Sequence, residues 1–130
     1  MNTLNKPPLK ILLVEDEPVV MMVTRMFFQD LGYEPDIAET GKRAIELSVK
    51  KYDLIFMDIG LPDIDGISVT KKIRKEEKGK KYKSANIIVL TAYNIADVLE
   101  KCLSVGVDEV HNKPINPKIL LDIINKQSLC

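Results

Sequence analysis

Five short apolar runs alternate with five segments of helical pattern along this 130-residue chain. The apolar runs cover residues 10–14, 33–38, 54–57, 86–90 and 107–110, and the helical segments cover 18–31, 41–51, 67–78, 95–105 and 116–125. Crossovers between parallel strands of one sheet are right-handed, so this alternation predicts an α/β fold with a doubly wound parallel sheet. In such a sheet, ligands bind beyond the carboxyl ends of the strands.

The charge balance and the termini limit the possible function classes. The 19 Lys and Arg residues match 19 Asp and Glu residues, so no net field would attract nucleic acid or anionic lipid. No apolar run approaches the roughly 20 residues of a membrane span. The two cysteines fit a reducing compartment, so we expect a cytoplasmic domain at residues 9–126 that binds no nucleic acid directly and no membrane by itself. Residues 1–8 are expected to be a flexible lead-in rather than a signal peptide, and residues 127–130 a C-terminal tail.

Acidic residues follow two of the predicted strands. Glu15 and Asp16 come directly after the first strand, and Asp58 comes directly after the third. Taken alone, Asp58 would more simply be a loop aspartate that caps the next helix, but the second acidic strand end favours a shared site. Thr91 and Lys113 follow the fourth and fifth strands, so all of these side chains should converge on one crevice. Crowded carboxylates repel one another and need a cation, which predicts a metal site.

Four short motifs carry a family resemblance. They are Leu12-Leu13-Val14-Glu15-Asp16-Glu17, then Asp58 with Leu61-Pro62 and Asp65-Gly66, then Val89-Leu90-Thr91-Ala92, and finally Lys113-Pro114. In this order and spacing they resemble the receiver domain of two-component response regulators, over about residues 9–125. The resemblance implies a flavodoxin-like fold, in which a five-stranded parallel sheet of order 2-1-3-4-5 carries five helices.

The same resemblance implies a phosphoacceptor site with Mg²⁺ as its cofactor. Asp58 would accept a phosphoryl group from a phosphohistidine. Glu15 and Asp16 would hold the metal ion together with Asp58 and the backbone carbonyl of Gly60. This assignment agrees with the chemistry, because phosphoryl transfer mainly requires cations and alignment around the three phosphoryl oxygens.

The resemblance also implies roles for the ends of the last two strands. Thr91 would be the switch hydroxyl, Lys113 would pair with a phosphoryl oxygen, and a cis peptide would precede Pro114. One position departs from the family pattern, since receivers usually carry Tyr or Phe where this chain has Val110. Either Val110 or Tyr93 could replace that aromatic switch.

On this resemblance the chain is a signalling module of a two-component phosphorelay. Its partners would be a histidine kinase or a histidine phosphotransfer protein, and phosphorylation would switch partner binding. It would not be an enzyme beyond catalysing its own phosphorylation and dephosphorylation. No output domain is expected in this chain, so it is either a single-domain regulator or a receiver cut from a hybrid kinase.

Two functions from other classes are alternatives to the signalling module. The main alternative is a small phosphatase of the aspartyl-phosphate type, although Gly60 stands where that chemistry generally needs an acid. A flavin carrier is disfavoured because the three acids after the first strand would repel a phosphate.

The first helix carries a second apolar stripe besides the one expected to face the sheet. Val19, Met22 and Met26 are spaced i, i+3 and i+7, which places them on one face. Exposed apolar rows beside a crevice indicate a partner surface, to which Pro114 would also contribute, and methionine suits an adaptable contact. The alternative is a helix that is buried more deeply than usual.

Two positions are expected to set how long the phosphorylated state lasts. Hydrolysis needs an aligned water, and side chains two residues past Asp58 and two past Thr91 are placed to hold it. Gly60 has no side chain, and Tyr93 is bulky with a phenol that is a poor base at neutral pH. Gly60 could also open space for water, but we weigh alignment higher and expect slow loss of phosphate.

Overall fold

A five-stranded parallel sheet in the order β2-β1-β3-β4-β5 forms the centre of the computed structural model, which describes residues 9–80 and 84–128. The strands are β1 (Ile11–Val14), β2 (Asp36–Ala38), β3 (Leu54–Asp58), β4 (Asn86–Thr91) and β5 (Glu109–Asn112). The helices are α1 (Pro18–Asp30), α2 (Gly41–Leu47), α3 (Gly66–Glu77), α4 (Ile95–Ser104) and α5 (Pro117–Ser128). The predicted fold class and strand order are confirmed. The predicted lead-in, residues 1–8, and the last two residues of the predicted tail lie outside the described residues.

The sheet divides the core into two layers. Every residue of β1 and β3 is buried, as expected for strands covered by helices on both faces. One layer packs α2, α3 and α4 against the sheet, and the other packs α1 and α5. In the second layer the rings of Phe28 and Phe56 meet edge to face, with their centroids 5.1 Å apart. Among the described residues, no helix is long and apolar enough to cross a bilayer.

Helix α1 buries one face and exposes another. Thr24 and Phe28 are its fully buried residues. Val19, Met22 and Met26 are 62%, 54% and 53% exposed. The second apolar stripe is therefore a surface feature, and the alternative of a more deeply buried helix is wrong.

Strands β2 and β5 each start at least two residues later than the sequence predicts. Strand β2 begins at Asp36 because the preceding Pro35 has no N–H to donate to the ladder. Strand β5 begins at Glu109, whereas the apolar residues 107–110 were predicted as the strand. The backbone N–H of Val107 instead donates to the carbonyl of Cys102 at 3.0 Å, which caps the end of α4.

Helix α2 is shorter than predicted, and its start is held by the loop that follows β3. It ends at Leu47 and continues as a 3-10 turn over Ser48–Lys50, because Lys51 adopts a positive φ of 62°. Thr40 caps the helix as expected, since its side chain accepts the N–H of Arg43. Asp63 adds two further bonds by accepting the first two backbone N–H groups of the helix at 2.8 and 2.9 Å.

Candidate active site

The carboxyl ends of β1 and β3 bring three acids together. Asp58 is the last residue of β3, and Glu15 and Asp16 follow β1, its neighbour in the sheet. One carboxylate oxygen from each lies within 4.8 Å of the others. Glu15 and Asp58 are only 2% and 3% exposed. The convergence predicted for these residues is thus present, in a largely buried cluster of oxygen donors.

Within the described part of the chain, one ammonium group is paired with this acidic cluster. Lys113 follows β5, and its Nζ lies 3.1 Å from Oδ1 of Asp58 and 3.4 Å from Oε1 of Glu15. The Lys113–Pro114 peptide is cis, as the family resemblance implied. One positive charge therefore serves three carboxylates, and the site as a whole attracts a further cation.

Burial and mutual repulsion shift the ionisation of the cluster. Burial raises the pKa of Glu15 to about 7, with the charge of Asp58 adding to the effect and the N–H of Glu17 and the charge of Lys113 opposing it. Partial burial and the neighbouring Asp58 raise the pKa of Asp16 as well. Burial alone would lower the pKa of Lys113, but its bonds to Asp58 and Glu15 raise it. A bound cation would relieve this repulsion.

The loop after Asp58 is shaped by two glycines with different demands. The backbone N–H of Gly60 donates to Oδ1 of Asp58 at 3.0 Å, which fixes that carboxylate oxygen. A Cβ at Gly60 would meet only this oxygen, at 3.9 Å, so the position has room for a side chain. A Cβ at Gly66 would collide with the carbonyl oxygen of Asp58, so only glycine lets α3 start this close to the end of β3.

Thr91 occupies the end of β4 in a network that reaches β5. It is 1% exposed, and its hydroxyl oxygen accepts the backbone N–H of Tyr93 at 2.9 Å. The side-chain amide of Asn112 donates to the carbonyls of Thr91 and Tyr93 at 3.2 and 3.0 Å. Sequence reasoning gave Asn112 no role, and its only signal was a polar residue directly before Lys113.

Comparison with known proteins identifies the family. A family model described as the response regulator receiver domain matches residues 11–125. The chain belongs to this family. Hybrid signal transduction histidine kinase B of Dictyostelium discoideum is 41% identical over 128 residues, covering 90% of this chain and 6% of that protein. The aerobic respiration control sensor protein ArcB of Escherichia coli K12 is 34% identical over 121 residues, covering 92% of this chain and 15% of that protein.

Solved structures agree with the family assignment. The receiver domain of sensor histidine kinase PA1611 from Pseudomonas aeruginosa is 34% identical with a TM-score of 0.80, covering 93% of this chain and 98% of that one. Its structure holds a magnesium ion coordinated in the active-site cleft. A Saccharomyces cerevisiae response regulator receiver, solved in complex with the histidine phosphotransfer protein Ypd1, is 28% identical with a TM-score of 0.84, covering 93% and 89% of the two chains. The present receiver spans 6% and 15% of the two curated relatives described above.

This receiver has a small apolar residue at the position where an aromatic was expected. Val110 lies in β5 opposite Val89 and packs against the core layer formed with α2, α3 and α4. Its neighbour His111 also lies in β5, and its Nε2 is 3.0 Å from Oε1 of Glu109. Tyr93 is 60% exposed, so neither Val110 nor Tyr93 covers the site as a buried aromatic would.

The receiver's exposed stripe starts beside its acidic cluster. Val19 is three residues after Asp16, and Met22 and Met26 continue along the same face of α1. Pro114, which follows Lys113 on the other side of the crevice, is also exposed. The fold therefore places an accessible apolar row on the helix that begins beside the acidic cluster.

Proposed function

We propose that this receiver takes a phosphoryl group from the phosphohistidine of a histidine kinase or histidine phosphotransfer protein onto Asp58. The observation that carries the proposal is the cluster of three carboxylates, two of them buried, that Lys113 faces at the carboxyl edge of the sheet. An oxygen of Asp58 attacks the phosphorus, the phosphorus–nitrogen bond breaks, and its electron pair returns to the donor imidazole. The charge that develops on the phosphoryl oxygens is what the surrounding groups must stabilise.

The donor set fits a hard divalent cation. Glu15, Asp16 and Asp58 offer only oxygen atoms, and their net charge with Lys113 remains negative. Oxygen donors in an open, acidic crevice suit Mg²⁺, which keeps several of its waters. Bound by these three residues and the Gly60 carbonyl, Mg²⁺ would supply positive charge to the phosphoryl oxygens.

The remaining residues align and read the phosphoryl group. Lys113, already 3.1 Å from Asp58, pairs with one phosphoryl oxygen once Asp58 is phosphorylated. The hydroxyl of Thr91 donates to another oxygen, which draws its own loop inward and changes the surface that partners meet. The receiver catalyses only its own phosphorylation and dephosphorylation, in the cytoplasm. Nothing at the site favours the phosphatase alternative, because Gly60 offers no acid to a leaving group.

The partner that carries the phosphohistidine docks on the α1 stripe. Val19, Met22 and Met26 are each more than half exposed, and docking would bury them beside the acceptor. Apolar side chains of this size act as anchors when an interface excludes water around them. Pro114 extends the same surface across the crevice.

The Asp58→Asn variant tests the acceptor. The wild type should gain one phosphoryl group from acetyl phosphate in the presence of Mg²⁺, and the variant should gain none, as measured by intact-protein mass. Asp97→Asn, which changes an exposed aspartate on α4, serves as the matched control and should be phosphorylated like the wild type. Mg²⁺-dependent phosphorylation of Asp58→Asn would show that the acceptor is another residue.

A further inference from the structure

One side chain ties the loop that leaves β4 to the end of β5. Asn112 is the last residue of β5 and lies opposite Thr91 in the parallel ladder. Its Nδ2 donates to the carbonyl oxygens of Thr91 and Tyr93, at 3.2 and 3.0 Å. The backbone N–H of Lys113 donates to the same Thr91 carbonyl at 2.9 Å. The loop is therefore held by three hydrogen bonds from this end of the sheet, of which Asn112 supplies two.

The pair of bonds depends on the chemistry of asparagine. A primary amide carries two N–H groups on one nitrogen, whereas a hydroxyl offers one donor and a carboxylate offers none. Val110, two residues earlier, has no donor and packs against the core. The connection between β5 and this loop is therefore polar, and it lies at Asn112 rather than at the position where receivers usually carry an aromatic.

The bonds of Asn112 belong to one conformation of the loop. In the observed conformation the Thr91 hydroxyl oxygen accepts the N–H of Tyr93 at 2.9 Å, so the segment from Thr91 to Tyr93 is a compact turn. Under the proposed function this turn moves inward when Thr91 donates to a phosphoryl oxygen on Asp58. Both carbonyls that Asn112 binds are part of the turn, so inward movement pulls them away from β5 and stretches these bonds.

We propose that Asn112 is a positioning residue that holds the loop after β4 in its observed position and so opposes capture of a phosphoryl group by Thr91. The inference rests on the switch role given to Thr91 in the proposed function. An interaction made in only one of two conformations shifts their equilibrium by its own free energy. Asn112 thereby sets how readily this receiver switches and links the loop movement to β5 without an aromatic side chain.

The test compares how tightly variants bind beryllofluoride with Mg²⁺, a mimic of a phosphoryl group on a carboxylate. Asn112→Ala removes both loop bonds and should bind the mimic about twofold to tenfold more tightly than the wild type, as measured by calorimetry. Asn86→Ala is the matched control, because Asn86 donates to Gln127 at 3.2 Å from the opposite end of β4. This control should bind the mimic with wild-type affinity.

Each outcome bears either on the positioning role of Asn112 or on the proposed function on which that role rests. Equal or weaker binding by Asn112→Ala would overturn the positioning role while leaving the proposed function intact. A wild-type protein that does not bind beryllofluoride would overturn the proposed function and, with it, the positioning role of Asn112. If Asn112→Ala does not fold, hydrogen exchange of the Asn112 side-chain amide in the wild type replaces it. That exchange should become faster when the mimic binds, and unchanged exchange would overturn the proposal.

Discussion

The two ends of the sheet handle buried charge in opposite ways. At the carboxyl end, three carboxylates crowd around the single ammonium of Lys113. At the amino end, Arg74 on α3 lies between Glu77 and Asp108, with both ion pairs at 2.8 Å. The same guanidinium donates to the carbonyls of Ala85 and Gly106 at 2.7 and 2.9 Å. These five residues form what we call the Arg74 network.

The two groups of acids differ in how many carboxylates share one cation, which is two in the Arg74 network and three at the site. Glu77 also accepts the N–H of Ala85, and Asp108 accepts the N–H of Ile87. A buried ion pair stabilises a fold only when further hydrogen bonds satisfy its remaining donors and acceptors. The network meets this condition and ties α3 to the starts of β4 and β5. In the acidic cluster Glu15 and Asp58 also accept backbone N–H groups, but three carboxylates face one ammonium and their mutual repulsion remains. This is the pattern of a site kept for chemistry rather than for stability.

The largest expected effect is the loss of stability when the Arg74 network is broken. Arg74→Ala leaves Glu77, whose side chain is 8% exposed, without its cation and should lower the free energy of unfolding by about 3 kcal/mol. Arg43→Ala is the matched control, because its pair with Glu46 is more than half exposed and is worth about 0.5 kcal/mol or less. Urea denaturation measures both. A loss below about 1 kcal/mol for Arg74→Ala would mean that the two ends do not differ as described.

The next largest effect is on phosphoryl transfer from a partner, which should depend on the α1 stripe and not on the opposite end of the sheet. Met22→Asp places a charge in the exposed stripe and should slow transfer from a phosphorylated histidine phosphotransfer protein about tenfold to a hundredfold. Uptake from acetyl phosphate should not change. Val49→Asp is the control, because Val49 is 75% exposed but precedes β3 at the amino end. Equal loss with both donors would indicate misfolding and remove the support for docking on α1.

A smaller effect is the loss of folding stability that the acidic cluster causes in the metal-free protein. The folded state holds the pKa of Glu15 near 7, above its ordinary 4.5, so it binds more protons than the unfolded state between these values. Stability should therefore fall as pH rises from about 4.5 to 7, by roughly 1–3 kcal/mol, and Glu15→Gln should lack this loss.

Denaturation in the presence of a chelator, at several pH values, measures the difference between wild type and Glu15→Gln. Glu17→Gln, at an exposed neighbouring position, should follow the wild type. Adding Mg²⁺ at pH 8 should stabilise the wild type more than Glu15→Gln, because the variant lacks one carboxylate ligand. A difference that does not vary with pH would show that Glu15 carries no such penalty.

The sequence was informative where one strand end carries one functional group. Asp58 and Lys113 could be selected because alternating strands and helices place their strand ends at a common edge, whatever their separation in the chain. The family pattern then added the cis peptide before Pro114, which the structure contains. The strand order also came from the family pattern, whereas the alternation by itself predicted only a doubly wound parallel sheet.

Features that depend on side chains from several loops could not be predicted. The Arg74 network joins residues 74, 77, 85, 106 and 108, and a lysine-rich stretch gives no sign that one of its cations is paired. Asn112 was missed because a polar residue at a strand end has many possible partners. The predicted start of β5 was wrong because an apolar run cannot show whether Val107 continues a ladder or caps α4.

The smallest expected effect tests whether residues at the carboxyl end of the sheet alone set the lifetime of the phosphorylated state. Gly60 has room for a side chain and has no positive φ, so Gly60→Asn should fold normally and place an amide beside the acceptor. Tyr93→Glu replaces an exposed phenol with a group that can orient water. Each should speed loss of phosphate by about tenfold or less, and the double variant should be faster still, because an exposed side chain aligns water only loosely.

Decay of the phosphorylated protein after removal of acetyl phosphate measures this lifetime. Val49→Asn, at the amino end, should decay at the wild-type rate. Unchanged or slower decay in Gly60→Asn and Tyr93→Glu would show that these two positions do not hold the attacking water. The open space at Gly60 would then matter more than alignment, since filling it would exclude water instead of orienting it. Faster loss of phosphate in Val49→Asn would instead mean that the lifetime depends on the stability of the whole fold. The two ends of the sheet would then not have separate roles.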